Sequence, residues 1–546
     1  MTAVWEQVYS PVVGSLGAST VAAALPLFVL LYLLGVRRTA SWIAGLAGLG
    51  AAALVAVVVY RMPVPLALSA AGIGAAFGLF PIVWIVFWSI FLYRLTVETG
   101  RFEIIKDSIG GVTQDRRLQA LLIAFAFGAF VEGAAGFGAP VAVAAAMLTG
   151  LGFSPFAAAG ICLLANTAPV AFGSIGTPII TLAGTTGLPT AQLSAAVGRI
   201  CAPVSVFVPS YLILVIGGFR GLSGVLPAAL LCGISFASVQ LLASNLLGPE
   251  LTDILASIAA MAALLGLTAV WHPRGDFSFP GASTDVTMPP RHSTGQVLSA
   301  WFPYAMLVIC VLLWGHPAVK SLLAAPTLVL NWPGLHNLVR QVPPVVMEAR
   351  PYAARFTFNW LSAPGTGCMI AALLSGLLLR VSLRAMWGVL KTTAQQLAKP
   401  ALTVASVLAL AFLMNYSGAT ATLGLAFAAT GVLFPFFSAI LGWLGVFLTG
   451  SDTSSNALFG NLQVVTANRL GLNPVLMAAS NSSGGVMGKM ISLQSIAVGA
   501  AATGMTGDDE SRLFRFTLKH SLLLAAVIGL IVVFYAYVMP TWVPSP

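Results

Sequence analysis

Long apolar runs near residues 20–36, 42–60 and 78–97 set the pattern at the start of the chain, each separated from the next by a polar break. Each is about long enough for a helix of ~20 residues to cross a hydrocarbon core. The pattern returns near 195–217, 224–246, 253–271, 297–315, 361–380, 400–416 and 520–540. Four other stretches are apolar but punctuated by glycine, proline and hydroxyl residues, which argue against straight spans. They predict hairpins over about 119–152 and 436–472, and broken helices over about 155–182 and 474–505.

The first hairpin turns on FGAFVEGAAGFGAPVA, residues 127–142, whose one charged residue is Glu132. Glycines at 128, 133, 136 and 138, followed by Pro140, work against one smooth helix. A carboxylate at bilayer depth costs ~2.5–3.5 kcal/mol on insertion scales. Irregular backbone there is tolerated only where protein covers it or where it lines a cavity. Gly136 and Gly138 are therefore expected to present backbone groups, and Glu132 its carboxylate, to a solute. The second hairpin turns on LGWLGVFLTGSDTSSNALFG, residues 441–460, where Asp452 sits among Ser451, Thr453, Ser454, Ser455 and Asn456. Of the broken helices, one carries ANTAPVAFGSIGTP (165–178) and the other MAASNSSGGVMGKMISLQSIA (477–497), with Lys489 inside it.

Loop charges give these elements an orientation. Arg37 and Arg38, the group Arg94, Arg101, Lys106, Arg116 and Arg117, the group Arg380, Arg384, Lys391 and Lys399, and Arg512, Arg515 and Lys519 mark cytoplasmic loops. Both termini then lie outside, and a polar cytoplasmic linker, 272–296, joins a first repeat (1–271) to a second (297–546). The segment 316–358 is too mixed to place. Gly128, Phe130 and Gly133 recur at the same spacing as Gly445, Phe447 and Gly450. An LGxxP element follows in each half, at Leu151 and Leu470, and then an asparagine, Asn166 and Asn481. The first hairpin enters from the cytoplasm and the second from outside, the inverted-topology arrangement of many secondary transporters. Half-helix N-termini meeting near the midplane suit a small anion.

Composition agrees. With 58% hydrophobic residues, 7% charged residues and a mean hydropathy of +0.96, the chain reads as an all-α, polytopic membrane protein of about twelve transmembrane helices plus two re-entrant hairpins. The opening MTAVWEQVYSPVVG lacks a basic n-region, so the first apolar run reads as a retained span. A net charge of +10 follows from the loop cations and gives no case for a nucleic-acid partner. Cys162, Cys201, Cys232, Cys310 and Cys368 show no metal-ligand spacing and read as free packing thiols. Neither a metal nor a cofactor is expected.

Each polar residue admits a plainer reading beside the functional one. Glu132 is expected to bind a proton, because a low dielectric disfavours the charged form of a carboxyl; alternatively it is structural and paired with a buried cation such as Arg199. Asp452 is the second proton candidate, though its hydroxyl and amide neighbours would also hold it ionised. Lys489 is a compact charge suited to a substrate carboxylate, or else a partner of Asp452 or a snorkelling side chain. Arg199 fits interface anchoring as well. Asn166, Thr167, Ser174, Thr177, Asn481, Ser482, Ser483 and Gln494 can hydrogen-bond a hydroxyl or carboxylate, or simply join helices. Ser454 and Ser455 belong to the same hydroxyl-rich binding set.

At EGAAGFGAPVA (132–142), NTAPVAFG (166–173), FLTGSDTSSNALF (447–459), GKMIS (488–492) and LFRFT with KHSL (513–517, 519–522), the sequence resembles the bacterial L-lactate permease family over nearly its whole length. Ser482–Gly485 stand where a TTGG-like run is usual and Leu493 where a proline is common, departures that bear on substrate preference. The resemblance implies a proton-coupled symporter for L-lactate, glycolate, D-lactate and related 2-hydroxymonocarboxylates in the bacterial inner membrane. Its partners would be the anion, the proton and membrane lipid, with a homo-oligomer left open. On this reading the anion binds between the hairpins, its carboxylate near Lys489 and its hydroxyl near Asn166 or Asn481, while Glu132 and then Asp452 carry the proton. Sodium-coupled carboxylate transport is the alternative. An intramembrane enzyme is disfavoured, because no HExxH occurs and the five histidines fall in predicted loops or span ends.

Overall fold

A computed structural model of the chain describes residues 4–136, 138–273, 277, 290–505 and 507–545. It is mostly helical, with twelve helices long and apolar enough to cross a membrane among the described residues. The linker assigned to 272–296 falls largely outside the described residues. At its far end, Ser293 and Gln296 form a capping box that starts the helix Thr294–Gly315, and His292 meets Asp107 at 2.8 Å.

Several helices run beyond their apolar runs. Leu383–Ser417 includes Arg384, Lys391 and Lys399, and Thr190–Ser223 includes Arg220. The apolar run marks the part of a helix that lipid can touch, whereas the helix continues wherever its backbone hydrogen bonds do. Val64–Glu98 forms one candidate span of two helical pieces, so its first half was missed in the apolar pattern.

The segment 316–358, which the hydrophobic pattern left unplaced, holds a short helix, Pro317–Leu323, and four short strands. Leu328–Asn331 pairs antiparallel with Arg355–Phe358, and Val339–Gln341 pairs with both Arg350–Pro351 and the N-terminal strand Trp5–Glu6. These strands depart from a purely helical expectation. They form because residues outside the helical bundle satisfy their backbone groups through ladders instead. Gln7 clamps this layer to the bundle, donating from Nε2 to the carbonyls of Asn415 and Tyr416, each at 2.9 Å, at the end of Leu383–Ser417.

Around each predicted turning region, neighbouring helices pack against each other. Arg116–Ala134 is wholly buried along its apolar window, and Ala139–Gly150 returns along it after a turn at Gly136 and Gly138, both at positive φ. Phe434–Thr449 and Asp452–Leu470 form the second such pair; Ser455 Oγ donates to Gly442 O at 3.1 Å across it. Pro155–Ala165 and Val170–Thr186 meet at a bend of 63°. Pro474–Lys489 and Leu493–Thr503 are separated at Met490–Ser492 within one candidate span. Pro474–Lys489 packs closely on Phe434–Thr449, where a Cβ on Gly488 would lie 2.9 Å from Phe447 N. Small residues permit that approach between helices.

Elements from before and after the linker pack together through these interrupted helices. Gly173–Thr186 packs on Asp452–Leu470, while Leu493–Thr503 packs on Ala139–Gly150 and Pro155–Ala165. One large apolar core surrounds this centre, and a second joins Leu16–Gly35, Val64–Phe77 and Leu383–Ser417.

Candidate functional site

Four interrupted elements converge on a cavity of about 260 Å³. Glu132 comes from the end of Arg116–Ala134; Gly173, Ser174 and Thr177 from the first broken helix; Thr449–Ser454 from the second turn; Lys489 and Gln494 from either side of the second break. The cavity reaches toward Ser41, Trp42, Lys399 and Pro400.

Local backbone explains why these groups face a void. Ser174, Ile175 and Gly176 all take left-handed conformations, with φ of 46°, 57° and 72°. Such residues cost of order 1–3 kcal/mol each when they are not glycine, so the surroundings must hold them. Ser174 Oγ donates to Ala135 O at 3.1 Å, tying this break to the first turn. Ser451 caps Asp452–Leu470 by accepting from Ser454 N, and Ser492 caps Leu493–Thr503 by accepting from Ser495 N. Two helix N-termini thus border the cavity and contribute partial positive charge.

Charged groups gather here without closing ion pairs. Lys489 is buried and its Nζ donates to Gly450 O at 2.6 Å; among the described residues it meets no carboxylate at ion-pair distance, though Glu132 and Asp452 both bear on it electrostatically. Asp452 Oδ2 accepts from Ser482 Oγ at 2.5 Å and from Asn456 Nδ2 at 3.3 Å. Behind it runs a buried amide ladder: Asn481 Nδ2 donates to Asn456 Oδ1 at 2.9 Å, and Gln463 Nε2 to Asn481 Oδ1 at 3.1 Å. Asn166 stands beside Glu132, while Glu132 Oε2 and Asp452 Oδ1 find no hydrogen-bond partner among the described residues. Buried polar atoms are rarely left unpaired without a reason.

Of the residues singled out in the sequence, Glu132, Ser174, Thr177, Asp452, Ser454, Lys489 and Gln494 line this cavity, whereas Asn166 lies behind the lining. Gly136 borders a separate hollow with Tyr93, Arg94 and Gln396. Gly138 packs near Val498, Ser455 donates to Gly442 O, Thr167 donates to Leu164 O at 2.7 Å, and Asn481 is engaged in the amide ladder. Ser482 supports Asp452 from behind. Among the described residues Arg199 meets no carboxylate at ion-pair distance; its Nε donates to Asn245 Oδ1 at 2.9 Å and its guanidinium covers the Trp542 ring. His520 lies within the helix Gly507–Tyr537, against Tyr211 Oη at 2.5 Å, and not at a span end, because that helix begins well before its apolar part.

Three polar groups at or around the cavity are not marked by the sequence pattern. Lys399 was legible only as one more loop cation, although Leu383–Ser417 carries it to the cavity mouth. Gln463 looked like an ordinary polar residue on a helix. Asp253, just inside the helix Thr252–Val270, is buried behind the first turn. An acid at the start of an apolar run resembles a helix N-terminal residue, and its burial is set by tertiary packing alone.

A family model described as L-lactate permease matches residues 19–539. An L-lactate permease of Bacillus subtilis is 48% identical over 99% of this chain and 100% of its own length. Glycolate permease GlcA of Escherichia coli is 46% identical over 98% of each. Among solved structures, the Alcanivorax borkumensis YdaH transporter aligns with 88% of this chain and 89% of its own at a TM-score of 0.47 and 16% identity, too distant a likeness to bear on function.

Proposed function

The chain belongs to the L-lactate permease family, and from that premise we propose that it carries L-lactate and related 2-hydroxymonocarboxylates such as glycolate across the bacterial inner membrane together with a proton. One observation supports this above the rest: the charge inventory of the cavity. Its lining holds two acids, Glu132 and Asp452, and two lysines, Lys399 and Lys489. With all four ionised the lining is neutral and has no net attraction for an anion. One proton on either acid makes it +1, the complement of a single monocarboxylate. Anion and proton then favour each other's binding, which is the thermodynamic content of coupling.

The chemistry of a 2-hydroxy acid fits the available groups. Its carboxylate sits near Lys489 and the N-terminus at Ser451, where a charge-assisted hydrogen bond is formed. Its hydroxyl is assigned to Asn166, which stands beside Glu132 just behind the cavity lining. Glu132 takes the proton, with Asp452 second, since Ser482 and Asn456 already support Asp452 as an acceptor. Movement of one set of interrupted helices against the other would carry the loaded site from one face to the other. One proton with one monoanion is electroneutral, so each unit of pH gradient drives uptake by about 1.4 kcal/mol.

Purified protein in lipid vesicles tests the reading. Labelled L-lactate is expected to accumulate when the interior is alkaline, with choline replacing sodium at no cost. Excess glycolate and D-lactate are expected to compete, and pyruvate, which lacks the hydroxyl, less well. Uptake that requires sodium would refute proton coupling and favour a sodium-coupled carboxylate transporter.

A further inference from the structure

Behind the first turn, on the side away from the cavity, a second carboxyl stands without a use. Asp253 is 1% exposed, and among the described residues neither of its oxygens meets a hydrogen-bond donor and no cation pairs with it. It lies hard against the turn: a Cβ added to Gly133 would be 2.8 Å from Asp253 Cβ. Glycine at 133 is what lets the helix Thr252–Val270 approach this closely. Gly133 is next in sequence to Glu132, and Glu132 is the charged group that bears on Asp253 electrostatically. Of the elements packed on Thr252–Val270, which are Arg116–Ala134, Leu226–Leu246 and Gly173–Thr186, only the first carries an ionisable acid to it. The Cys201 thiol is also within electrostatic range, and Glu250 precedes Asp253 in its own loop. Glu250 is part-buried and within electrostatic range of Lys320, an exposed residue of the segment that follows Thr294–Gly315 on the outer side.

A carboxylate taken from water and given neither a donor nor a counter-ion is too costly to persist. Asp253 and Glu132 lie in mutual electrostatic range, and two carboxyls so placed titrate as a coupled pair. We propose that Asp253 is a further proton-carrying carboxyl of this transporter, outside the cavity, passing the transported proton between the outer side and Glu132. The step balances simply. The O–H bond of the Asp253 carboxyl breaks as an O–H bond forms on the Glu132 carboxylate; Asp253 is left anionic and regains a proton from hydronium on the outer side, near Glu250. This inference rests on proton coupling as proposed above and adds to it the route by which the proton reaches Glu132.

The test uses the full-length protein in vesicles, with a pH dye inside and labelled L-lactate. Wild type is first required to acidify the interior when L-lactate is added outside. If it does not, proton coupling itself fails. Asp253→Asn, which mimics the protonated form, is expected to lose at least tenfold in lactate-driven proton entry and in uphill uptake, while lactate–lactate exchange stays within about threefold of wild type. Proton-coupled accumulation at the wild-type level in Asp253→Asn overturns the inference and leaves the wild-type coupling intact. If exchange is lost as well, Asp253→Glu decides: restored accumulation with an altered pH profile supports a proton carrier, and failure to restore it marks Asp253 as a packing residue only.

Discussion

Replacing Lys489 by glutamine removes one charge from the cavity and keeps a donor for Gly450 O, which Lys489 Nζ meets at 2.6 Å. If the substrate carboxylate binds beside Lys489, a charge-assisted hydrogen bond becomes a neutral one. Bonds of the first kind contribute roughly 1.5–3 kcal/mol and of the second roughly 0.5–1.5, so about 1–2 kcal/mol of binding is lost, a factor of roughly 5–30. The bare Coulomb energy of two charges 4 Å apart, ~4 kcal/mol at an effective dielectric of 20, sets the upper bound. The sign of the pH effect follows from charge counting. Without Lys489 the lining with both acids ionised is −1, and one proton brings it only to neutral. A second proton is then needed to receive the anion, so the rise in KM should shrink as pH falls. Initial rates of labelled L-lactate uptake over a range of pH in vesicles measure this. A KM within threefold of wild type at every pH, in protein that elutes and melts like wild type, would refute the placement of the carboxylate.

Other outcomes follow from the same geometry. Glu132→Gln is expected to abolish uphill L-lactate uptake while leaving the protein folded, checked by accumulation under a pH gradient beside a melting curve in detergent; accumulation at the wild-type level counts against Glu132 as the proton site. Gly133→Ala places a methyl group 2.8 Å from Asp253 Cβ and 3.1 Å from Ile254 N, which should cost about 1–3 kcal/mol and lower the Tm. Gly128→Ala, whose nearest atom would be 3.5 Å away, should melt close to wild type apart from its helix-propensity change. Gln7→Ala strips the Asn415 and Tyr416 carbonyls of their side-chain donor and is expected to destabilise the outer layer by about 1–3 kcal/mol, seen as faster protease cleavage within 316–358.

What could be read from the sequence divides along physical lines. Glu132, Asp452 and Lys489 stood out because an ionisable residue inside an apolar run has a large local energetic cost, and that cost is visible in one dimension. The break within 165–178 was equally legible, since glycine and proline disturb a helix through their own backbones; the break at Met490–Ser492 falls just beyond Gly484, Gly485 and Gly488, which the helix Pro474–Lys489 absorbs. Asp253 was not legible, because it begins a helix as many exposed acids do, and only the approach of Gly133 buries it. Lys399 was hidden for a related reason: hydropathy ended its span near residue 400, whereas the helix runs back to Leu383. The strands within 316–358 are held by pairing with each other and with Trp5–Glu6, so a local reading had no access to them.

The account depends most on electroneutral entry of one proton with each hydroxy-acid anion. It is tested most directly by adding L-lactate to vesicles while internal pH and membrane potential are recorded together, with labelled substrate counted in parallel. The account predicts one proton entering per lactate, no change in potential, and the same ratio in choline as in sodium. Lactate entry that moves net charge, or that proceeds under a potential alone with no pH gradient, would contradict it.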